Sequence, residues 1–451
     1  MINYLDENLR DACWRRDVEQ VKQILARKPN LQAREYTGET ALHFAAHGGS
    51  VEIVKMLLAA GAKIDACANR GENILHKAAA YGSCDLIRFL LDNHYFDVNC
   101  QGRGGKNVIV EEHGLGLEFE RKGMTPLQYA VEDGEKTSAE LLLEYGADVN
   151  GRDFNGQSPL HYAASEGNIE MIDFLIAHGA EINLADKHGF TPAAQALMSL
   201  PSEAFYYEME HGEKKRKAFD WLRQHGAIMG KDVLLAAASK SERTITLLSE
   251  LLNGNSYNSS ALNEALLYAC ASHCYGTEKT VKLLLQYGAF PETHLDGYKY
   301  NSLQVAISMK NAKAARLLIK AGADLSIKNS QGLSLVMLAA AKTSLPTLKL
   351  LVTEYSLPYD ETDNDGNSPL LWAVQKSAGP KTIEYLISQG ADVNRQNKEG
   401  QTALHLACQH NNNATVNVLL ANGADKTLTD KNGKKPADLT NNKSIMKLLS
   451  K

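Results

Sequence analysis

Glycines recur along this chain at a fixed interval, and that interval restricts the fold more than any other feature. Gly38, Gly71, Gly123, Gly156 and Gly189 head successive segments, and Gly332, Gly366, Gly400 and Gly433 head later ones, mostly 33 or 34 residues apart. A self-similar period of this length marks a repeat array, whose units bury their apolar faces only against their neighbours. Short apolar motifs follow the glycines, among them Thr40-Ala41-Leu42-His43, Ile74-Leu75-His76, Ser158-Pro159-Leu160-His161 and Thr402-Ala403-Leu404-His405. Leu-Leu or Leu-Ile pairs and then Gly-Ala come later, the latter at 61–62, 146–147, 179–180, 226–227, 288–289, 322–323, 390–391 and 423–424.

One unit reads directly as two short helices. A Thr or Ser before Pro or Ala caps a first helix that tolerates Pro in its first turn, and small Ala residues let neighbouring helices approach. Val51, Ile53, Val54, Leu57 and Leu58 place apolar residues on one face of a second helix, which Gly61 ends in the left-handed conformation. The stretch from Ala147 to Gly156 has turn chemistry.

These motifs, in phase at one period, resemble the ankyrin-repeat family. The resemblance implies an all-α solenoid of helix-turn-helix units joined by hairpin fingers, and extending the period through divergent stretches gives about a dozen units. The expected organisation is an N-terminal capping repeat over 1–37, repeats over 38–230, divergent repeats over 231–300, repeats over 301–432 and a C-terminal cap over 433–451.

The period breaks in three places. Gly71 and Gly123 are 52 residues apart, so an insertion lies near 101–122, where Asn107 to Val110 and Leu115 to Phe119 read as two strands around a turn. The run Gly102 to Lys106 lacks the spacing and trailing hydroxyl of a phosphate loop. A second insertion near 198–217 reads as a lengthened helix-helix loop with a solvated basic turn over 213–217, or as a partner-binding extension. Through 231–300 the repeat is most degenerate, which suggests a bend or altered twist, or a site.

His43, His76, His161 and His405 share one repeat position, too periodic for catalysis; they resemble the family's structural histidine, which ties helix to finger. Cys270, His273 and Cys274 form a C-x-x-H-C cluster without a fourth ligand or second pair, so no metal is expected. A Cys/His hydrolase-like site built from Cys270, Cys274, His273 and His294 is the alternative to a non-catalytic chain. No local motif supports it, and no cofactor is implied.

Composition narrows the partners. With 48 Lys plus Arg against 53 Asp plus Glu, the net charge of −5 argues against a nucleic-acid binder. No apolar run approaches the ~20 residues of a membrane helix, and Met1 to Glu7 lacks a signal-peptide pattern. Seven scattered cysteines fit a reducing, cytoplasmic setting.

In the ankyrin family, partners are gripped by finger tips and first helices, which implies a protein-protein interaction scaffold, expected as a monomer. Tyr36, Tyr81, Phe154, His188 and Phe190 are the expected partner contacts, since aromatics at tips have no core to serve. Asn99, Asn150, Asn183 and Asn394 look like the finger asparagines that a eukaryotic iron and 2-oxoglutarate dependent hydroxylase modifies. The bias to 33 Lys and 31 Asn over 15 Arg, with the array, is similar to ankyrin effectors that intracellular bacteria secrete into the host cell cytosol. Host or cellular proteins would then be the partners.

Overall fold

The structure, a computed structural model, describes residues 4–102, 108–112, 115–119, 122–200, 206–240, 244–271, 277–291 and 300–450. Two compact units divide the chain at Ala236 and Ala237, and each is a stack of helix pairs.

In the first unit the pairs are α1 (Tyr4–Trp14) with α2 (Val18–Leu25), α3 (Ala41–Gly48) with α4 (Val51–Ala59), and α5 (Ile74–Ala80) with α6 (Cys84–Asp92). After the strands β1 (Val108–Glu112) and β2 (Leu115–Phe119) come α7 (Pro126–Glu132), α8 (Lys136–Glu144), α9 (Pro159–Glu166), α10 (Ile169–Ala177), α11 (Pro192–Met198) and α12 (Tyr206–Gln224). The boundary falls within α13 (Lys231–Ser239).

The second unit continues with α14 (Ile245–Gly254), α15 (Ser259–Ala271), α16 (Thr277–Gln286), α17 (Ser302–Ser308) and α18 (Ala312–Lys320). Next come α19 (Leu335–Ala341) and α20 (Leu345–Lys349), which runs into a π-helical turn over Leu350–Glu354. The pairs α21 (Pro369–Gln375) with α22 (Pro380–Ser388) and α23 (Ala403–Gln409) with α24 (Asn413–Ala421) precede a 3-10 turn and α25 (Lys443–Leu449).

The repeat motif explains the helices. Asn73, Thr125, Thr191, Asn301, Ser334, Ser368 and Thr402 each accept a backbone N–H in the first turn of the helix they cap. Pro126, Pro159, Pro192 and Pro369 follow such caps, where no N–H is needed. The leucine after the cap is the core residue of its repeat: Leu42, Leu75, Leu127, Leu160, Leu303, Leu335, Leu370 and Leu404 are all at most 1% exposed. Leu57, Leu90, Leu142, Leu175, Leu318, Leu386 and Leu419 meet them from the second helices, fully buried.

The four periodic histidines tie helix to finger, as their family resemblance implies. Each Nδ1 accepts the backbone N–H of its cap residue, at 3.2 Å from Thr40 and Asn73, 3.0 Å from Ser158 and 3.2 Å from Thr402. Each Nε2 then faces a carbonyl of the next finger: Glu72 at 3.2 Å, Met124 at 3.1 Å, Phe190 at 3.0 Å and Lys434 at 3.1 Å. Those partners require the neutral ring with its proton on Nε2. In two repeats a glutamine holds the same slot. Gln128 accepts from Thr125 N and donates to the carbonyls of Gly151 and Gln157, while Gln304 accepts from Asn301 N.

Asn99, Asn150, Asn183 and Asn394 have a structural task at every site. Each amide donates to a carbonyl of the next repeat (Gly146, Gly179, Gly226 or Gly423) and accepts a backbone N–H from the same turn (Asp148, Glu181, Ile228 or Asp425). Among the seams without an asparagine in this slot, the one after Gly322 lacks the clamp for two matched reasons. Ser326 holds the asparagine slot and bonds back to its own Asp324, and Pro358, in the turn that should donate, has no N–H. Asn150→Ala should therefore cost about 1–2 kcal/mol, the worth of two partly exposed hydrogen bonds, whereas Ser326→Asn should add nothing measurable. Urea titration of both variants checks this; a stabilised Ser326→Asn would refute the clamp.

The first insertion forms the expected hairpin, with Val108 opposite Phe119 and Glu112 opposite Leu115. The second differs from the loop expected near 198–217. Residues from Tyr206 onward are helical, and the charged stretch is a helix face, not a turn. The i to i+4 pairs Lys217–Glu213 and Arg216–Asp220 and the buried Ala218, Phe219 and Leu222 supply helical periodicity that the charge density masked. Backbone of Lys214 and Lys215 packs against Gly167 at the end of α9, where an added Cβ would lie 2.7 Å away.

Candidate functional site

The first three repeats bring aromatic side chains into one row because their first helices end in register. Trp14 closes α1, His47 stands at the end of α3, and Tyr81 caps α5, so successive rings are one period apart. Gly48 permits the close approach of α1, since a Cβ there would lie 2.9 Å from the carbonyl of Cys13. The Trp14 and His47 rings are 6.1 Å apart between centroids, and His47 and Tyr81 only 3.6 Å. Trp14 is 51% exposed and Tyr81 46%.

Two cavities open along this row. One, of about 500 Å³, is lined by Tyr4, Glu7, Arg10, Asp11, Trp14, Glu35 and Phe44 among others. Its neighbour, of about 300 Å³, lies between Tyr36 at the first finger tip and Tyr81, with Thr37, Glu39, Ala68, Arg70, Glu72 and Lys77 completing the wall. Asn69 holds the tip in place by donating its amide to the Tyr36 carbonyl at 2.7 Å.

The second cavity has a charged floor. Lys77 bonds Glu39 at 2.8 Å and Glu72 at 3.3 Å, all three side chains being mostly buried. Burial alone would lower the Lys77 pKa, but the charges of Glu72 and Glu39 outweigh it and hold the ammonium above its ordinary value. Burial likewise opposes ionisation of Glu39, yet Lys77 and a hydrogen bond from Thr37 leave its carboxyl below the usual range. Glu72 is 3% exposed, and its Oε2 has no partner among the described residues. On the next ledge burial shifts Glu132 and Asp133 up, against the opposing charge of Lys122 on the first and of Lys77 on the second.

Of the expected contacts, the structure therefore brings Tyr36 and Tyr81 together. Phe154 is half-buried, its ring lying over Gly123, where an added Cβ would sit 2.4 Å from it; that ring serves finger-to-finger packing, because the positive-φ glycine leaves a flat seat. His188 is exposed and Phe190 half-buried, both fixed through backbone N–H bonds to Asp186. Trp14, Phe44 and His47 were missed by sequence reasoning. The signal for Trp14 and His47 was present as an aromatic or histidine recurring one period apart at the end of the first helix, whereas Phe44 lies within α3 and had none.

Cys270 is fully buried, and burial pushes its thiol up to about 12, the opposite of an activated nucleophile. His273, Cys274 and His294 lie outside the described residues. No group of three or more His, Cys, Asp or Glu side chains suited to a metal occurs among the described residues, nor does any helix long and apolar enough to cross a membrane.

Capped helix pairs at a fixed period, tied by finger contacts, define a helical-repeat protein. Residues 9–102, 106–186, 150–207, 233–329 and 336–430 match the family described as ankyrin repeats (3 copies), and the chain belongs to it. It is 31% identical over 147 residues to neurogenic locus notch homolog protein 2 of Homo sapiens, covering 33% of this chain and 6% of that protein. With neurogenic locus notch homolog protein 1 of Homo sapiens the identity is 30% over 149 residues, again 33% of this chain and 6% of the relative. The chain thus spans only a small fraction of the curated relatives it matches. The solved ankyrin repeat domain of Bcl-3, titled a unique member of the IkappaB protein family, is similar with a TM-score of 0.39 and 25% identity, over 48% of this chain and 97% of that one.

Proposed function

We propose that this ankyrin-repeat chain is a non-catalytic scaffold that binds protein partners, with the aromatic row of its first three repeats as the principal contact face. The observation that carries this reading is the gathering of Tyr4, Trp14, Tyr36 and Tyr81, each at least 45% exposed, along two adjoining cavities. Half-exposed aromatics beside concave, charged walls are the usual composition of binding hot spots. His188, Phe190 and the free edge of Phe154 supply secondary contacts on later fingers. The notch proteins and Bcl-3 share the repeat, which agrees with an interaction role.

The test is a quantitative pull-down from eukaryotic cell lysate with the full chain and with Tyr36→Ala plus Tyr81→Ala. Proteins enriched on the first and lost from the second support the reading; an unchanged set removes the groove from it. A host-directed role for a bacterial protein in the host cytosol rests on the Lys and Asn bias and belongs to the same proposal. Hydroxylation of Asn99, Asn150, Asn183 and Asn394 also stands as a proposal. Their clamp amides leave Cβ free of hydrogen bonds, and peptide mass spectrometry of protein recovered from host cells, showing no added oxygen, would end it.

A further inference from the structure

We propose that the face built from residues 424–450 docks on a phospholipid surface bearing negative charge, a contact separate from the aromatic row. Over this stretch six lysines stand against three aspartates, in a chain whose 53 acidic side chains outnumber its 48 basic ones. The surplus of acid lies in the first unit, where residues 122–186 alone hold twelve Asp and Glu against three Lys and Arg. Among the described residues Lys431 pairs with Glu399 at 3.6 Å, whereas Lys426, Lys434, Lys435, Lys443 and Lys447 make no ion pair. The three aspartates are tied into turns. Asp430 is 8% exposed and accepts from the N–H groups of Asn432 and Lys434, Asp425 accepts from Thr427, and Asp438 accepts from the N–H of Lys435.

Helix α25 turns part of this charge outward. Its Ile445 and Leu449 are buried, which leaves Lys443, Met446 and Lys447, at i, i+3 and i+4, together on the exposed side. Met446 is 48% exposed, an unbranched apolar side chain between two ammoniums. Lys434 and Lys435 lead into the 3-10 turn Pro436–Leu439, which packs on α25 and keeps both groups of lysines within one short repeat.

Three anionic partners then separate. A single-stranded nucleic acid is held by rings on which its bases stack, and no Phe, Tyr or Trp follows Tyr385. A phosphorylated or carboxylate-rich protein segment is read best by the bidentate guanidinium fork, and no arginine follows Arg395. An anionic bilayer asks for neither. Its charge is diffuse, so each point-like ammonium near it adds its own attraction, and an apolar side chain among them enters the acyl boundary. Such a contact lies on the surface and needs no helix that crosses the bilayer.

Co-sedimentation of the full chain with phosphatidylcholine vesicles, and with vesicles in which phosphatidylserine replaces about a third of the lipid, tests this. Binding to the serine-containing vesicles should be about tenfold or more the stronger, and salt at about 1 M, which shortens screening to ~3 Å, should release it. Lys443→Gln plus Lys447→Gln should weaken that binding about tenfold or more, since each lysine near such a surface contributes about fivefold. Lys443→Arg plus Lys447→Arg should bind as the parent does, because only the charge is used, and Met446→Ser should weaken binding several-fold. All three positions are exposed, so the melting curves should stay in place. Equal binding to both kinds of vesicle, or binding indifferent to the lysine pair, would overturn the proposal. Polyglutamate or duplex DNA bound more tightly than the vesicles, and lost with the same lysines, would overturn the lipid assignment in favour of an acidic protein segment or a nucleic acid.

Discussion

Acidification from pH 6.5 towards 4 is expected to strip stability from this protein through its repeat histidines, and His43→Gln plus His76→Gln is expected to blunt that loss. Burial lowers both imidazoles from 6.5 to about 4, and it lowers His161 and His405 in the same direction. The folded chain keeps these rings neutral because Nδ1 must accept from the cap N–H. The unfolded chain protonates them at the ordinary value, so it takes up more protons than the folded chain throughout the window between the two pKa values. The stabilisation is therefore complete above 6.5 and is lost as pH falls through that window. By linkage it amounts to about 2 kcal/mol per ring at pH 5, and about 3 kcal/mol at the lower end.

Glutamine is the replacement that the array itself uses. Gln128 reproduces both contacts, accepting from Thr125 N and donating to Gly151 and Gln157, and it carries no titratable proton. Urea unfolding at pH 8 should show the double variant no more stable than the parent. At pH 5 the variant should be ahead by about 2 kcal/mol per site. Parallel decline of the two proteins would mean that the histidines are not what acid disrupts.

The second large effect concerns finger glycines, two of which separate backbone strain from finger contact. Gly156 has φ +80°, and an added Cβ would lie 2.8 Å from the backbone nitrogen of Lys187, which donates to Asn155 of the preceding tip at 2.9 Å. Gly189 has φ +83° with nothing within 4 Å of an added Cβ. Gly189→Ala should cost about 1–2 kcal/mol, the left-handed penalty alone. Gly156→Ala adds the overpacking of two backbones, about 1–3 kcal/mol more, and should loosen the next repeat. Thermal melts of both variants measure the difference. Equal losses would show that the fingers do not bear on one another.

The glycine period, the cap residues and the leucine positions follow from the sequence because each is set within one repeat or between adjacent ones. A hydroxyl before Pro159 caps a helix wherever the chain goes next, and Leu160 can be buried only by its neighbours in the stack. The same locality makes the hairpin at 108–119 readable. The sequence also contained the clamp asparagines, but not their work, since Asn150 acts on a turn about thirty residues away that must first be stacked beside it.

Two features required the tertiary structure. The 206–224 segment is a helix because Phe219 and Leu222 find a core on α9 to α11, a surface not visible from a charge-rich stretch taken alone. The aromatic row exists because Gly48 brings α1 onto α3, so that Trp14, His47 and Tyr81, one period apart in sequence, stand side by side. Periodicity assigns each residue its place within a repeat. Only the packed array decides which of those places adjoin, and a site is made of adjoining places.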